Sequence, residues 1–255
     1  MKAQKPTTRI STHTNDDIEI RGKSLIRDLI GKRSFTEMLF FHVTERFPSP
    51  GETRVVDAIL VTLMEHGLTP SAIAARMVYG SSPEALQSGI AAGLLAVASR
   101  FVGTMEECAG LLAQIVAAPE AARSGVAQRL AEQMCAARTP VPGFGHHLHR
   151  PDDPRTPVLL KLAAEEGVAG AHVAALGTLA HSVDAALGRH ITVNATGAVA
   201  ALLGDLGVPT ALMRGFAVVS RAGGLLGHIA EERRTPSMRY IWETVEDAVP
   251  YSRPD

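Results

Sequence analysis

The chain has 255 residues, a formal net charge of −1, and 46% hydrophobic but only 4% aromatic residues. That length allows one large or two modest domains with a sizeable core, and the near-neutral charge excludes a basic field for nucleic acid and an acidic one for cationic partners. A core drawn from Ala, Leu, Val and Ile lets helices approach closely, which predicts a globular α-rich protein rather than a β-sandwich.

Residues 1–17 are polar, Thr-rich and aperiodic, and read as a flexible tail with no apolar core of a signal peptide. Ile18 to Leu25 alternates briefly, as a short strand or hairpin does. Gly22-Lys23-Ser24 is not a phosphate loop, because Asp17 stands where that loop needs glycine. Ser34, with Glu37 three residues on, starts a first helix. Pro48 to Gly51 is a break, and Val55, Val56, Ile59, Leu60, Leu63 and Met64 mark a second helix ending near His66-Gly67. Thr69 and Pro70 restart the chain as cap and first helical residue.

Pro83 opens a helix whose stripe runs from Leu86 to Phe101, with Ser88, Gly89, Ala92 and Gly93 on a second face, so it packs on more than one side. The apolar run Ser88 to Ser99 is too short and too rich in Gly and Ser to span a bilayer. Helices are expected over Met105–Val116, Ala121–Ala137, around Leu159 to Leu162, and over Val168–Leu187. Thr192 to Gly197 is a loop opening a helix over Ala198–Leu206, and Thr210 to Glu232 is one long helix or two. The remainder, with Trp242 and Tyr251, reads as a tail. Cys108 and Cys135 have no metal or redox spacing and read as free thiols, in keeping with a cytoplasmic protein.

Two constellations carry chemistry. The stretch from Pro140 to Arg155 gathers Gly143, Gly145, His146, His147, His149, Arg150 and Arg155. Glycines let backbone N–H groups approach a ligand, arginines bind carboxylates or phosphates, and histidine donates to a polarised carbonyl. A metal is not expected, since no further ligands stand at zinc spacing, and Gly-Phe-Gly follows no strand as a dinucleotide loop must. The second lies between Ser220 and Glu232, where Arg221 and His228 share a helix face two turns apart and Gly223, Gly224 and Gly227 imply close approach of a neighbour. His66, at a helix end, reads by itself as a cap.

These pieces occur in the same order in citrate synthases. GFGHHLHRPDDPR resembles their GFGHRVYKxxDPR, MEHGLTPSAIAAR their ADHExNxSTFAAR, and SRAGGLLGH their GRxxGWxAH. QSGIAAGLLAVASRFVGTMEEC and VNATGAVAALLGDLG are closer still to citryl-CoA lyases and the C-terminal domain of ATP-citrate lyase, whose patterns are GLLxxGDRFGGA and LNVDGAIAALLxDLG. The resemblance spans roughly residues 18–251. It implies an all-α citrate synthase-like fold over residues 18–255, with a large helical domain and a small one at roughly 110–205, assembled as a homodimer. It also implies C–C cleavage or condensation between an acyl-CoA and a keto acid such as oxaloacetate, with coenzyme A as the thioester and no metal, nucleic acid or membrane partner.

By that resemblance His146 is the catalytic histidine that polarises the keto carbonyl. Pro142, Gly143, Phe144 and Gly145 hold coenzyme A, and His66, Arg155, Arg221 and His228 line the acid site. The family's enolate-binding histidine falls on Phe101, a change shared with citryl-CoA lyases. Its catalytic Asp falls on Thr196, which is no base near neutral pH, and the arginine it places before a proline falls on Thr235, with Arg234 and Arg239 nearby. His147 and His149 replace the usual Arg and Tyr, which makes His149 the first replacement base to consider. The alternative reading is a non-catalytic relative that binds coenzyme A and a dicarboxylate.

Overall fold

Strong start signals followed by short apolar stripes give short helices. A computed structural model describes residues 5–98 and 103–254, and eleven α-helices lie within them. Ahead of them a small antiparallel sheet orders its strands β1 (Ser11–His13), β2 (Ile18–Ile20) and β3 (Lys23–Ser24). Pairing of Thr12 with Glu19 carries the hairpin back into the segment read as a tail.

Helices α1 (Phe35–Thr44) and α2 (Pro50–Met64) each begin with a complete capping box, Ser34 with Glu37 and Ser49 with Glu52. Each box satisfies two backbone N–H groups that a helix start leaves unpaired. Pro50 and Gly51, read as part of a break, therefore form the first turn of α2. Helix α3 (Pro70–Ser81) has proline at its first position. Helix α4 (Leu86–Leu95) starts after Pro83 rather than at it and ends before the stripe does. The continuation to Phe101 runs into residues 99–102, outside the described residues.

Next come α5 (Thr104–Ala117), α6 (Arg123–Ala136), α7 (Arg155–Glu165), α8 (Ala171–Leu187), α9 (Ala195–Asp205) and α10 (Met213–Glu232). Helix α9 starts three residues before its expected position because Asn194 caps it, its side chain accepting from Gly197 N. Thr196 and Gly197 thus lie in a first turn and not in a loop. Helix α11 (Met238–Ala248) occupies the segment read as a tail, and none of its residues is buried.

Helices α5, α6, α8 and α9 pack on one another, while α2, α3 and α4 pack around α10. Met105, Leu112, Leu176, Leu179, Leu202 and Leu203 are fully buried in a core that extends across α2 as well. The small-residue face of α4 does what its composition implies. A Cβ at Gly93 would lie 2.9 Å from Ser71 O of α3 and 2.6 Å from a Leu225 methyl of α10. This packing brings the end of α2, the loop over 140–155, the start of α9 and one face of α10 to a common place.

Candidate active site

Backbone builds one end of the site. Gly143 and Gly145 have φ of +84° and +76°, in the left-handed region that favours glycine. Asn194 N donates to Gly143 O at 3.0 Å, Gly145 N donates to Thr192 O at 2.8 Å, and Asn194 Nδ2 donates to Gly145 O at 2.9 Å. A Cβ at Gly197 would lie 2.5 Å from Gly143 O, and one at Gly143 would lie 2.6 Å from Cys108 Sγ. The glycines at 143 and 197 therefore serve a close crossing of the loop over α9. Gly145 alone faces open space. Phe144 is buried and bridges to Val193, and Pro142 is half-buried beside it. Cys108, sealed behind this crossing, has its thiol pushed up to about 12 by burial.

The segment Asp153-Pro154-Arg155 ties the same loop to α9 electrostatically. Asp153 is fully buried and receives three bonds from Arg155, Nε at 2.9 Å, Nη2 at 2.8 Å and backbone N at 3.1 Å, and one from Ala195 N at 3.0 Å. Burial alone would raise its pKa, but Arg155 and the backbone donors outweigh it and hold the carboxyl at about 2.

Four histidines meet above this junction. The His146 ring lies 4.3 Å from that of His149, 4.6 Å from that of His147 and 5.8 Å from that of His66. His66 therefore lies beyond the end of α2 and faces the site rather than capping the helix. His146 Nδ1 accepts from Leu148 N at 3.1 Å and His149 N at 3.0 Å. With its Nδ1 lone pair taken, the neutral ring carries its proton on Nε2 and is a hydrogen-bond donor there. Burial first, then the neighbouring His149, His147 and Arg155, holds the His146 pKa below the ordinary histidine range. Burial, then Arg155, does the same for His66. Both are neutral donors near pH 7. One nitrogen from each of His66, His146 and His149 falls within a 4.8 Å cluster. Two backbone N–H groups hold the His146 lone pair, which suits a carbonyl-binding donor better than a metal ligand.

Side chains from α2, α3 and α10 build the other end. Arg76 of α3 is buried; its Nε donates to His228 Nδ1 at 3.0 Å, and its other nitrogens meet Glu231 and, at 3.0 Å, Glu232. That fixes the His228 proton on Nε2. His228 Nε2 lies 3.0 Å from Glu65 Oε2, off the line of a hydrogen bond, and Arg221 Nη1 lies 3.9 Å from Glu65 Oε1. Among the described residues both donors are buried with no hydrogen-bond partner, a costly state that a bound acceptor would relieve. Glu65 was not foreseen, and neither were Arg76 and Asp153. The sequence signal for Glu65 is its place beside His66. Of the expected close approaches on α10, Gly224 makes one: a Cβ there would overlap the Met64 carbonyl. Gly223 meets only ordinary contacts and Gly227 none.

Thr196 lies at the backbone-built end. Its hydroxyl donates to Asn194 Oδ1 at 2.6 Å and lies 3.4 Å from Thr104 Oγ1. Phe101, three residues before Thr104, is outside the described residues. Arg239 pairs with Glu243 on the exposed helix α11, and Arg234 and Thr235 are exposed, so within this chain none of them joins the cluster.

Comparison with known proteins bears on the family and the fold. The family model described as citrate synthase, C-terminal domain, matches residues 7–242. A citryl-CoA lyase from Hydrogenobacter thermophilus superposes with a TM-score of 0.87 at 28% identity, covering 99% of this chain and 96% of that one. An ATP citrate lyase from Methanothrix soehngenii, solved with citrate and coenzyme A, shares the fold at a TM-score of 0.79 and 20% identity, over 99% of this chain and 43% of its own. "Putative citrate synthase 2" of Mycobacterium tuberculosis is 27% identical over 215 residues, 78% of this chain and 56% of that protein. The chain thus spans about half the length of the curated relatives it matches. Its fold, its Gly-Phe-Gly-His loop seated on α9 and its matched family model make it a member of the citrate synthase family.

Proposed function

We propose that the site breaks or forms a carbon–carbon bond between an acyl-CoA and a keto acid, in the manner of a citryl-CoA lyase. The observation that carries this reading is the set of donors converging on one place: His146 in the Nε2–H tautomer, neutral His66, and the unpartnered His228 Nε2 and Arg221 Nη1. In the cleavage direction the substrate hydroxyl loses its proton as its carbon becomes a carbonyl, and the broken bond's electron pair enters the thioester enolate. The enolate is then protonated at carbon. His146 Nε2–H donates to the forming carbonyl oxygen, which stabilises the charge passing through it. His149, stacked on His146, is the side chain we assign to carry the proton from hydroxyl to carbon. Residues 142–145 present the backbone that holds coenzyme A.

One observation favours a second reading, a non-catalytic subunit that binds coenzyme A and an acid. Thr196 replaces the family's carboxylate, and its hydroxyl is already committed to Asn194. Turnover of citryl-CoA, of acetyl-CoA with oxaloacetate, and of related acyl-CoA and keto-acid pairs separates the two. The first reading predicts turnover above that of His146→Ala. The second predicts coenzyme A binding without turnover, and activity only in Thr196→Asp. The working unit is proposed to be a homodimer, supported by the exposed apolar side chains Tyr240, Trp242 and Val245 of α11. Light scattering at the monomer mass would refute that.

A further inference from the structure

We infer that Thr192 is a positioning residue for His146: it closes the histidine loop at both ends, so that His149 N reaches His146 Nδ1 and the His146 proton stays on Nε2. The inference rests on the proposed function for what His146 does, and on the loop's own hydrogen bonds for how its ring is held.

The loop is tied at its ends and hardly anywhere between. Gly145 N donates to Thr192 O at 2.8 Å, and Asp153 N donates to Thr192 Oγ1 at 2.8 Å. One buried residue thus receives the peptide N–H groups on either side of the segment 146–152. Among the described residues, the only hydrogen bonds made by residues 146–151 are those that Leu148 N and His149 N donate to His146 Nδ1. Neither leaves the segment, so the ends of the loop set where its rings stand.

At the exit the ties fix different things. The Asp153 carboxylate, held by Arg155 and Ala195 N, fixes that side chain. The bond to Thr192 Oγ1 fixes the planar Asp152–Asp153 peptide through which the loop arrives. Asp152 Oδ1 also meets His190 Nε2 at 2.9 Å, but both side chains are exposed, where such a pair is worth little.

Removal of the Thr192 hydroxyl leaves the Asp153 N–H buried without its acceptor, and the exit peptide turns to find another. His149 N then leaves His146 Nδ1, whose lone pair is released to take the ring proton. A ring protonated there presents a lone pair at Nε2 and cannot donate to a forming carbonyl oxygen. The stacked rings of His146 and His149 part as well, which weakens the burial and charge that hold His146 below the ordinary histidine range.

The test is NMR of the full chain with isotope-labelled histidine, reading the His146 ring tautomer and titration, with His146→Ala identifying the signals. The variants are Thr192→Val, which keeps the shape and loses the acceptor, Thr192→Ser, which keeps the acceptor, and Thr156→Val. The last is the control: it removes a neighbouring hydroxyl that donates to Val193 O at 2.8 Å, a loss of the same kind that does not touch the loop. Wild type, Thr192→Ser and Thr156→Val are expected to keep the Nε2–H ring. Thr192→Val is expected to show the Nδ1–H ring with a raised His146 pKa; Thr192→Ala carries the same prediction if the valine variant does not fold. Carbon–carbon cleavage or condensation should fall about tenfold in Thr192→Val through kcat, with little change in KM for the acyl-CoA. An Nε2–H ring in the valine and alanine variants, or the same tautomer change in Thr156→Val, overturns the role of Thr192. The tautomer is read without turnover, so the two readings fail separately. The expected shift in a wild-type chain that turns nothing over sinks the proposed function alone, and an active wild type whose ring does not respond to Thr192 sinks this inference alone.

Discussion

The two ends of the site are made of different materials. At the loop–α9 end, backbone meets backbone: Gly143 crosses Gly197, and Asn194 stitches the contact from both sides. At the α2–α10 end, charged side chains meet: Arg76, Glu232, His228, Glu65 and Arg221 form a chain of contacts from α3 to the cluster. A backbone crossing tolerates almost no change of shape at its glycines but little depends on charge. A side-chain chain tolerates small changes of shape, while loss of one member leaves another buried and unpaired.

Substitutions sharpen that contrast. Arg76→Leu leaves Glu232 buried without its cation and releases His228, so unfolding stability should fall by about 4 kcal/mol. Chemical denaturation reads this, and a loss under 1 kcal/mol would mean that the α2–α10 end does not depend on the charge chain. Gly197→Ala forces the crossing apart and should cost about 3 kcal/mol, with coenzyme A affinity lost in the variant that remains folded. Asp153→Asn should cost about 2 kcal/mol at pH 7. Asp153 is depressed from 3.8 to about 2 on folding, so its contribution is present above about pH 4 and disappears as the pH falls toward 2. An acid titration of stability should therefore be flatter in the variant across that window. Gly145→Ala adds a Cβ to open space and pays only for φ of +76°, about 1 kcal/mol. The smallest effect is in pH dependence. His66 and His146 sit below the ordinary range when folded, so the unfolded chain binds more protons beneath pH 6.5 and stability should fall gently as pH drops there. A rise in stability over that interval would show the rings to be charged in the fold.

The backbone-built end was largely legible in the sequence, because glycine and histidine in GFGH and VNATG mark positions where chain meets chain or ligand. The start of α9 is hidden by the loop-like composition of Thr192 to Gly197, although an Asn three residues before Gly197 is a capping signal. The side-chain-built end was half legible. Arg221 and His228 share a helix face, which spacing reveals. Glu65, Arg76 and Glu232 come from three elements, and no local pattern announces that α10 will bring them together. Helix α11 lacks a sequence signal because its apolar residues Ile241, Trp242 and Val245 are diluted by charges and none of them is fully buried.

The most direct measurement is turnover of citryl-CoA and of acyl-CoA with keto-acid pairs by the wild-type chain, beside His146→Ala and Thr196→Asp. Carbon–carbon cleavage or condensation by wild type that drops at least about a hundredfold in His146→Ala is the predicted result. No turnover by wild type with any pair, together with activity appearing in Thr196→Asp, would contradict it and leave a binding protein whose pocket outlived its base.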